Sequence, residues 1–126
     1  MSKQPVRIEL GTLKTKFAEY ESTYAWISSY AIDEGYPAMW ITSEEGEPIL
    51  TPTVYIESAV LDDSENRDII IKNWSENEGI YEALFDKGLI SGIYERIPTG
   101  FVEAYKCNME GALYNAWKEF NGITDA

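Results

Sequence analysis

The sequence predicts an α+β fold, an antiparallel β-rich meander with one central helix and one C-terminal helix. Alternating apolar and polar residues dominate the first half of the chain, as is typical of strands that bury one face. Apolar residues at helical spacing occur at about residues 76–87 and 109–120. With 126 residues and 44% hydrophobic composition, the chain is expected to form one domain with one core.

The first half of the chain is predicted to form successive strands joined by turns. Strands are predicted at residues 4–10, 13–17, 24–32, 38–42 and 49–58. Turns are predicted between them at residues 11–12, 33–37 and 43–48. Because side chains alternate along a strand, the third strand would place on one face Tyr24, Trp26, Ser28 and Tyr30. The last strand contains Pro52, which cannot donate to a ladder, so we expect it at a sheet edge or starting after the proline.

The second half begins with a predicted strand and the central helix. Three successive isoleucines favour a strand at residues 68–74. Ser75 and Glu78 have the spacing of a capping box, in which each side chain accepts from the other residue's amide. We therefore expect a helix from this point to about Lys87, ended by a left-handed Gly88.

A hairpin and a last helix are predicted to complete the chain. The hairpin strands are expected at residues 89–97 and 101–107. Asn108 is expected to cap the helix that follows. The buried stripe of that helix would comprise Met109, Leu113, Trp117 and Phe120.

Charge is distributed unevenly along the chain, whose net charge is −12. Residues 1–16 carry four bases and one acid, whereas residues 17–66 contain eleven acids and no base. Residues 67–126 hold ten acids and six bases. Uncompensated like charge costs stability through self-repulsion. The base-free block therefore predicts an acidic face that either keeps the protein soluble or docks on a basic partner as an imitation of a polyanion.

Four motifs in the second half follow the order of a known pattern: DIIIKNWSENEG at residues 68–79, EAL at 82–84, GLI at 88–90 and PTGFV at 98–102. Through them, residues 54–108 resemble a small domain family of unknown function that is encoded on bacterial chromosomes, plasmids and phages. Trp74 replaces a tyrosine of that pattern, and Thr99 a serine. Residues 70–76 are also loosely similar to a strand end of antirestriction proteins of the ArdA type, which mimic bent B-form DNA.

The resemblance implies an origin in a mobile element and subdivides the single domain. The parts are an acidic β-rich segment (residues 1–53), the family-like segment (residues 54–108), and a C-terminal helix and tail (residues 109–126). The base-free block thus lies mostly outside the family-like segment.

The residue types argue against an enzyme. The chain has no histidine, which excludes Ser-His-Asp and Cys-His triads and histidine metal sites. The single cysteine, Cys107, allows no internal disulfide and is expected to be a small core residue rather than a nucleophile. Neither a dinucleotide-binding nor a phosphate-binding glycine motif occurs. We therefore expect a non-enzymatic protein with no cofactor and no metal.

A calcium loop and a membrane span are also disfavoured by the sequence. Residues 62–68 begin with the oxygen spacing of an EF-hand, but Arg67 stands where glycine is required and Asn73 where a bidentate glutamate belongs. No segment approaches the roughly 20 apolar residues that cross a bilayer. The N-terminus lacks the apolar core of a signal peptide, so the cytoplasm of a bacterial host is the expected location.

The expected function is that of an acidic binding protein of a phage or mobile element that inhibits a host defence nuclease, as anti-CRISPR and antirestriction proteins do. Nucleic-acid channels are lined with Lys and Arg, so spaced carboxylates can compete for them. Tyrosines among acids are typical of protein-binding surfaces, whereas direct nucleic-acid binding would need a basic groove. The candidate contact residues are Asp33, Glu34, Tyr36, Glu44, Glu45, Glu47, Asp62, Asp63 and Glu65.

Two other functions stay open. One is a sponge or carrier for a small molecule such as a nucleotide signal, held in an aromatic pocket with a scarce base, for instance Arg67 or Arg96. The other is a housekeeping adaptor of a mobile element without an inhibitory role. The oligomeric state is open as well, with a homodimer among the options.

Overall fold

Two antiparallel sheets and two helices make up the computed structural model, which describes residues 4–56, 59, 61 and 67–122 without the side chain of Glu34. The strands are β1 (Val6–Lys14), β2 (Glu19–Tyr30), β3 (Asp33–Thr42), β4 (Pro48–Leu50), β5 (Asp68–Ile71), β6 (Glu95–Thr99) and β7 (Val102–Asn108). The helices are α1 (Ile80–Asp86), after β5, and α2 (Gly111–Phe120), after β7. The predicted α+β fold with an antiparallel meander, a central helix and a C-terminal helix is confirmed.

The strands divide into a four-stranded and a three-stranded sheet. The order β1-β2-β3-β4 makes the first sheet a simple meander, and the second has the order β5-β7-β6. Thr53 joins the two sheets, because it forms an isolated bridge with Ile71 of β5. Its hydroxyl also accepts from the amide of Met39 at 3.0 Å, which ties the same residue to β3.

Two hydrophobic clusters hold these layers together. The inner face of the four-stranded sheet packs on one face of the three-stranded sheet and on both helices, with Ile27, Met39, Ile71, Leu84 and Trp117 fully buried in this larger cluster. The opposite face of the three-stranded sheet forms the smaller cluster around Tyr36, Ile70, Ile97 and Ala104. Burial of this apolar area is the main favourable contribution to folding.

The predicted stripe of helix α2 is confirmed. Leu113, Trp117 and Phe120 are buried on one side of the helix, as is Met109 just before it. The helix itself begins at Gly111 and its N-cap, Glu110, makes no side-chain cap. Asn108 lies in β7 instead, so its predicted capping role is wrong.

The turn predicted at Gly11 and Thr12 is wrong, because both residues lie within the nine-residue strand β1. Leu10 and Leu13 are both buried although their spacing is odd, and a regular strand would place them on opposite faces. A bulge at Gly11, with a φ of 72°, shifts the register and restores the inward direction of Leu13. The hydroxyl of Thr23 donates to the Gly11 carbonyl at 2.7 Å and holds the bulge in place.

The predicted turn at residues 33–37 is also wrong. Tyr30 pairs with Asp33, so the hairpin turns at residues 31–32 and the following residues belong to β3. The acidic turn predicted at residues 43–48 is confirmed and spans residues 43–47. The next strand, β4, lies at a sheet edge, which was expected because the predicted strand contains Pro52. However, β4 ends at Leu50, before the proline.

Helix α1 begins four residues later than the capping box predicts. Ser75 has a φ of 57° and starts a 3₁₀ turn, Ser75–Asn77, so it cannot act as an N-cap. The N-cap is Gly79, and the Asn73 side-chain oxygen accepts from the Tyr81 amide at 2.8 Å. Asn73 thus satisfies one of the orphan amides of the first turn. The predicted stop at Gly88 is confirmed by its φ of 74°.

Candidate functional site

The acidic turn, residues 43–47, projects three carboxylates into solvent. Glu44, Glu45 and Glu47 are all exposed. The turn is held by its own backbone, since the Ser43 amide donates to the Glu47 carbonyl at 2.9 Å and the Gly46 amide to the Ser43 carbonyl at 3.0 Å. The Ser43 hydroxyl adds a bond by accepting from the Glu47 amide at 3.1 Å. The turn therefore presents its charges from a fixed backbone.

Two more exposed acids lie beside this turn, on the start of β2. The first five residues of β2, residues 19–23, extend beyond its last pair with β3, Tyr24 opposite Thr42, so this part of β2 continues on the side of the acidic turn. Tyr20 packs against the larger cluster, so its neighbours Glu19 and Glu21 point to the other side. Sequence reasoning left these two acids out of the site, although their alternation with Tyr20 was visible. We call Glu19, Glu21, Glu44, Glu45 and Glu47 the acidic end.

Asp33 lies far from the acidic end. It is exposed at the first position of β3, whereas the acidic turn follows the last position of the same ten-residue strand. Their partners on β2, Tyr30 opposite Asp33 and Tyr24 opposite Thr42, are six residues apart, so at about 3.3 Å per residue Asp33 lies about 20 Å from the end of β3 that leads into the acidic turn. The predicted site residues therefore do not converge on one patch. Glu34 follows Asp33 in β3, and its side chain lies outside the description.

Tyr36 is not a surface contact residue, and its expected role is corrected. Its side chain is only 2% exposed and packs at 4.6 Å from the ring of Tyr55 and at 5.6 Å from that of Tyr30. The hydroxyl donates to the Ile56 carbonyl at 3.3 Å and accepts from the Ile56 amide at 3.0 Å. Burial raises the pKa of Tyr36. Tyr36 therefore belongs to the smaller cluster and fastens the segment after β4.

The remaining predicted contact residues, Asp62, Asp63 and Glu65, lie outside the described residues. The same holds for most of the segment weighed as a calcium loop. Its last residue, Asp68, is buried at the start of β5.

A polar cavity of about 380 Å³ opens at the start of β5. Asp68 and Lys106 are its buried charges, with the Lys106 Nζ 3.7 Å from Asp68 and 3.4 Å from Glu95. The Tyr94 hydroxyl donates to Asp68, and its ring faces the ammonium group of Lys106. The lining includes Arg67, Asp68, Ser91, Tyr94, Lys106 and Asn108.

Of the two bases predicted for a small-molecule pocket, Arg67 and Arg96, only Arg67 lines this cavity. Arg67 lines it, but its guanidinium is bonded to Glu110 at 2.6 Å and covers the ring of Tyr114 at 4.3 Å. Arg96 is not part of the lining and faces Tyr105 and Glu103 instead. Both cations of the cavity thus have carboxylate partners, which weakens their attraction for an anionic ligand.

Comparison with protein-family models, with curated proteins and with solved structures finds no match to this chain. Within the described part of the chain, no helix combines the length and the apolar character needed to traverse a bilayer.

Cys107 lies in β7 with its side chain fully buried, as the sequence predicts. Burial raises the pKa of its thiol to about 12. Because the thiolate is the reactive form, the folded protein keeps this sulfur in its unreactive state at neutral pH.

Proposed function

We propose that this chain is a non-enzymatic acidic protein that docks on a basic protein surface through the acidic end, and that the partner is a defence nuclease whose nucleic-acid channel it blocks. The observation that carries the proposal is the acidic turn, where Glu44, Glu45 and Glu47 are exposed on a hydrogen-bonded backbone. In the described residues, none of the three forms an ion pair within the protein. Their charge is therefore available to a partner.

Geometry limits which acids take part. Docking on one basic channel requires neighbouring charges, and the acids of the acidic end lie at one end of the four-stranded sheet. Asp33 lies about 20 Å from the end of β3 that leads into the acidic turn and would reach only a partner with an extended basic surface. Complementary charge accelerates the encounter and is screened by salt, so binding should weaken as ionic strength rises.

Reversal of the acidic turn tests the proposal. We expect Glu44→Lys/Glu45→Lys/Glu47→Lys to reduce inhibition of a defence nuclease by at least about tenfold, because three attractive contacts become repulsive. The measurement is cleavage of DNA by that nuclease as the protein is titrated at low and at physiological salt.

A matched variant controls for net charge. Glu82, Asp86 and Glu119 are exposed on the two helices, and their replacement by lysine changes the net charge by the same amount. Inhibition should persist in this variant. Equal inhibition by both variants, at either salt concentration, would refute docking through the acidic turn.

A small-molecule carrier is the second candidate, because the cavity beside Asp68 has a volume of about 380 Å³ and is lined by Arg67 and Tyr94. Pockets of roughly 300–1,000 Å³ hold small ligands. Since both cations are paired with acids, we expect mono- and dinucleotides to leave the thermal unfolding midpoint unchanged. Stabilisation by a few kcal/mol at saturating nucleotide would instead favour the carrier.

A further inference from the structure

The outer face of the four-stranded sheet carries a row of side chains that belongs to neither hydrophobic cluster. Arg7 pairs with Trp26 across β1 and β2, and Trp26 pairs with Trp40 across β2 and β3. The three side chains therefore follow one another across the sheet on the face opposite Ala25, Met39 and the larger cluster. Both indoles are partly exposed and neither is a member of a cluster.

The row is an ordered stack. The two indole rings are parallel within 4°, with their centroids 6.3 Å apart. Trp26 is oriented by a hydrogen bond from its Nε1 to the Thr42 hydroxyl at 3.0 Å. The Arg7 guanidinium closes one end, at 5.7 Å from the Trp26 ring and 4.7 Å from the ring of Tyr24. One end of the stack thus already holds a guanidinium group.

The other end of the stack is Trp40, and the sheet leaves it without a paired neighbour on that side. The pairs between β3 and β4 are Ile41 with Leu50 and Thr42 with Pro48, so β4 has no residue paired with Trp40. Among the cation–π contacts of the described residues, none involves the ring of Trp40. An indole face is the best aromatic surface for a cation.

The charge around Trp40 indicates which kind of group would bind against its ring. The acidic turn begins three residues after Trp40, and Glu19 and Glu21 lie on the strand beside it. These carboxylates attract a cationic side chain and repel phosphate, so a nucleic acid is disfavoured. Guanidinium is planar, stacks on aromatic faces and is less strongly hydrated than ammonium, which favours arginine over lysine.

We infer that Trp40 stacks against an arginine side chain of the basic partner, so that the row of Arg7, Trp26 and Trp40 continues into the partner while the acidic end binds neighbouring basic groups. This inference rests on the proposed function, to which it adds the residue type that is recognised. On this inference, Trp26 and Trp40 provide selectivity for arginine, which the carboxylates alone would not provide.

The test uses two short peptides of equal charge, one with arginines alternating with serines and one with lysines in their place. We expect Trp40→Leu to weaken binding of the arginine peptide about three- to tenfold, the range of a partly desolvated cation–π contact. Binding of the lysine peptide should change less than about twofold. Phe101→Leu serves as the control, because Phe101 is a fully exposed aromatic residue at the tip of the β6–β7 hairpin and should affect neither peptide.

A second measurement avoids any effect of substitution on folding. In the unmodified protein, the indole N–H resonance of Trp40 should shift on addition of the arginine peptide and respond far less to the lysine peptide. Equal weakening of both peptides by Trp40→Leu, or an unshifted Trp40 resonance, would overturn the inference.

The failure of this inference is distinguishable from failure of the proposed function. If reversal of the acidic turn abolishes binding of both peptides but Trp40→Leu changes neither, the acidic end docks without arginine stacking and only the inference is lost. If reversal of the acidic turn leaves both affinities unchanged, the proposed docking surface fails and the inference fails with it.

Discussion

Replacement of Asp68 by alanine is expected to lower the free energy of unfolding by about 3 kcal/mol, as is usual when one member of a buried charge pair is removed. Asp68 is 5% exposed and lies 3.7 Å from the Nζ of Lys106, which is itself 8% exposed. The substitution removes a carboxylate beside a buried ammonium and the acceptor of the Tyr94 hydroxyl. Chemical denaturation with a two-state fit measures the change.

Two further variants show whether burial is the cause. The double variant Asp68→Ala/Lys106→Met should be at least about 1 kcal/mol more stable than the sum of the two single effects predicts, because the charges are removed together. Glu103→Ala breaks the Arg96–Glu103 pair, which has a 4.0 Å separation and about half-exposed side chains. That exposed pair should contribute less than about 1 kcal/mol. Additive effects, or equal effects of Asp68→Ala and Glu103→Ala, would contradict a buried network.

Replacement of Gly79 by alanine is expected to lower the free energy of unfolding by about 3 kcal/mol, because it strains the backbone and breaks a hydrogen bond. Gly79 has a φ of 97°, and a Cβ at this position would lie 2.7 Å from the Lys16 amide nitrogen and 3.2 Å from the Thr15 carbonyl carbon. The backbones approach closely because the Lys16 amide donates to the Glu78 carbonyl at 2.8 Å. This contact fastens the end of β1 to the start of α1.

Alanine variants of two other glycines distinguish the cost of the steric clash from the cost of the left-handed backbone. Gly100 has a φ of 75° with open space around it, so Gly100→Ala should cost only about 1–2 kcal/mol of left-handed strain. Gly92 has neither a positive φ nor a neighbour within 4 Å, and Gly92→Ala should not destabilise. Equal losses at Gly79 and Gly100, measured by the same denaturation, would show that the close approach to β1 is unimportant.

The stability of this junction bears on the proposed function. The acidic end includes the start of β2, which follows directly on the segment that Gly79 contacts. Lys16 also forms an ion pair with Glu78, so a base next to the acidic end is held by a partner of its own. Lys14, which pairs with Glu19 across β1 and β2, is a second base beside the acidic end.

The bulge and the helix start show where the sequence pattern was sufficient and where it was not. The odd spacing of Leu10 and Leu13 marks a break in phase at Gly11, which fits either a turn or a bulge. The length of β2 decides between them, because it pairs with β1 on both sides of the break. Ser75 and Glu78 have capping-box spacing, yet a φ of 57° at Ser75 and the reach of Asn73 to Tyr81 place the helix start at residue 80.

Local sequence predicts the environment of some candidate site residues, whereas the environment of others depends on partners that are distant in sequence. Exposure of Glu44, Glu45 and Glu47 follows from their place in a turn with Gly46, and local sequence is enough to predict it. Burial of Tyr36 depends on Tyr30 and Tyr55 from other segments, and a residue beside acids in sequence gives no sign of such a partner. The same is true of Asp68 and Lys106, which are distant in sequence and meet only because β5 pairs with β7.

The sequence by itself determined the α+β class, the acidic block without bases and the absence of histidine chemistry, since these depend on composition and on periodicity along short segments. Only the tertiary structure decided which acids are neighbours. Strand β3 separates Asp33 from the acidic turn, whereas antiparallel pairing brings Glu19 and Glu21 beside it. Pairing also aligns Arg7, Trp26 and Trp40 in one row, because strand register joins residues that no local pattern connects.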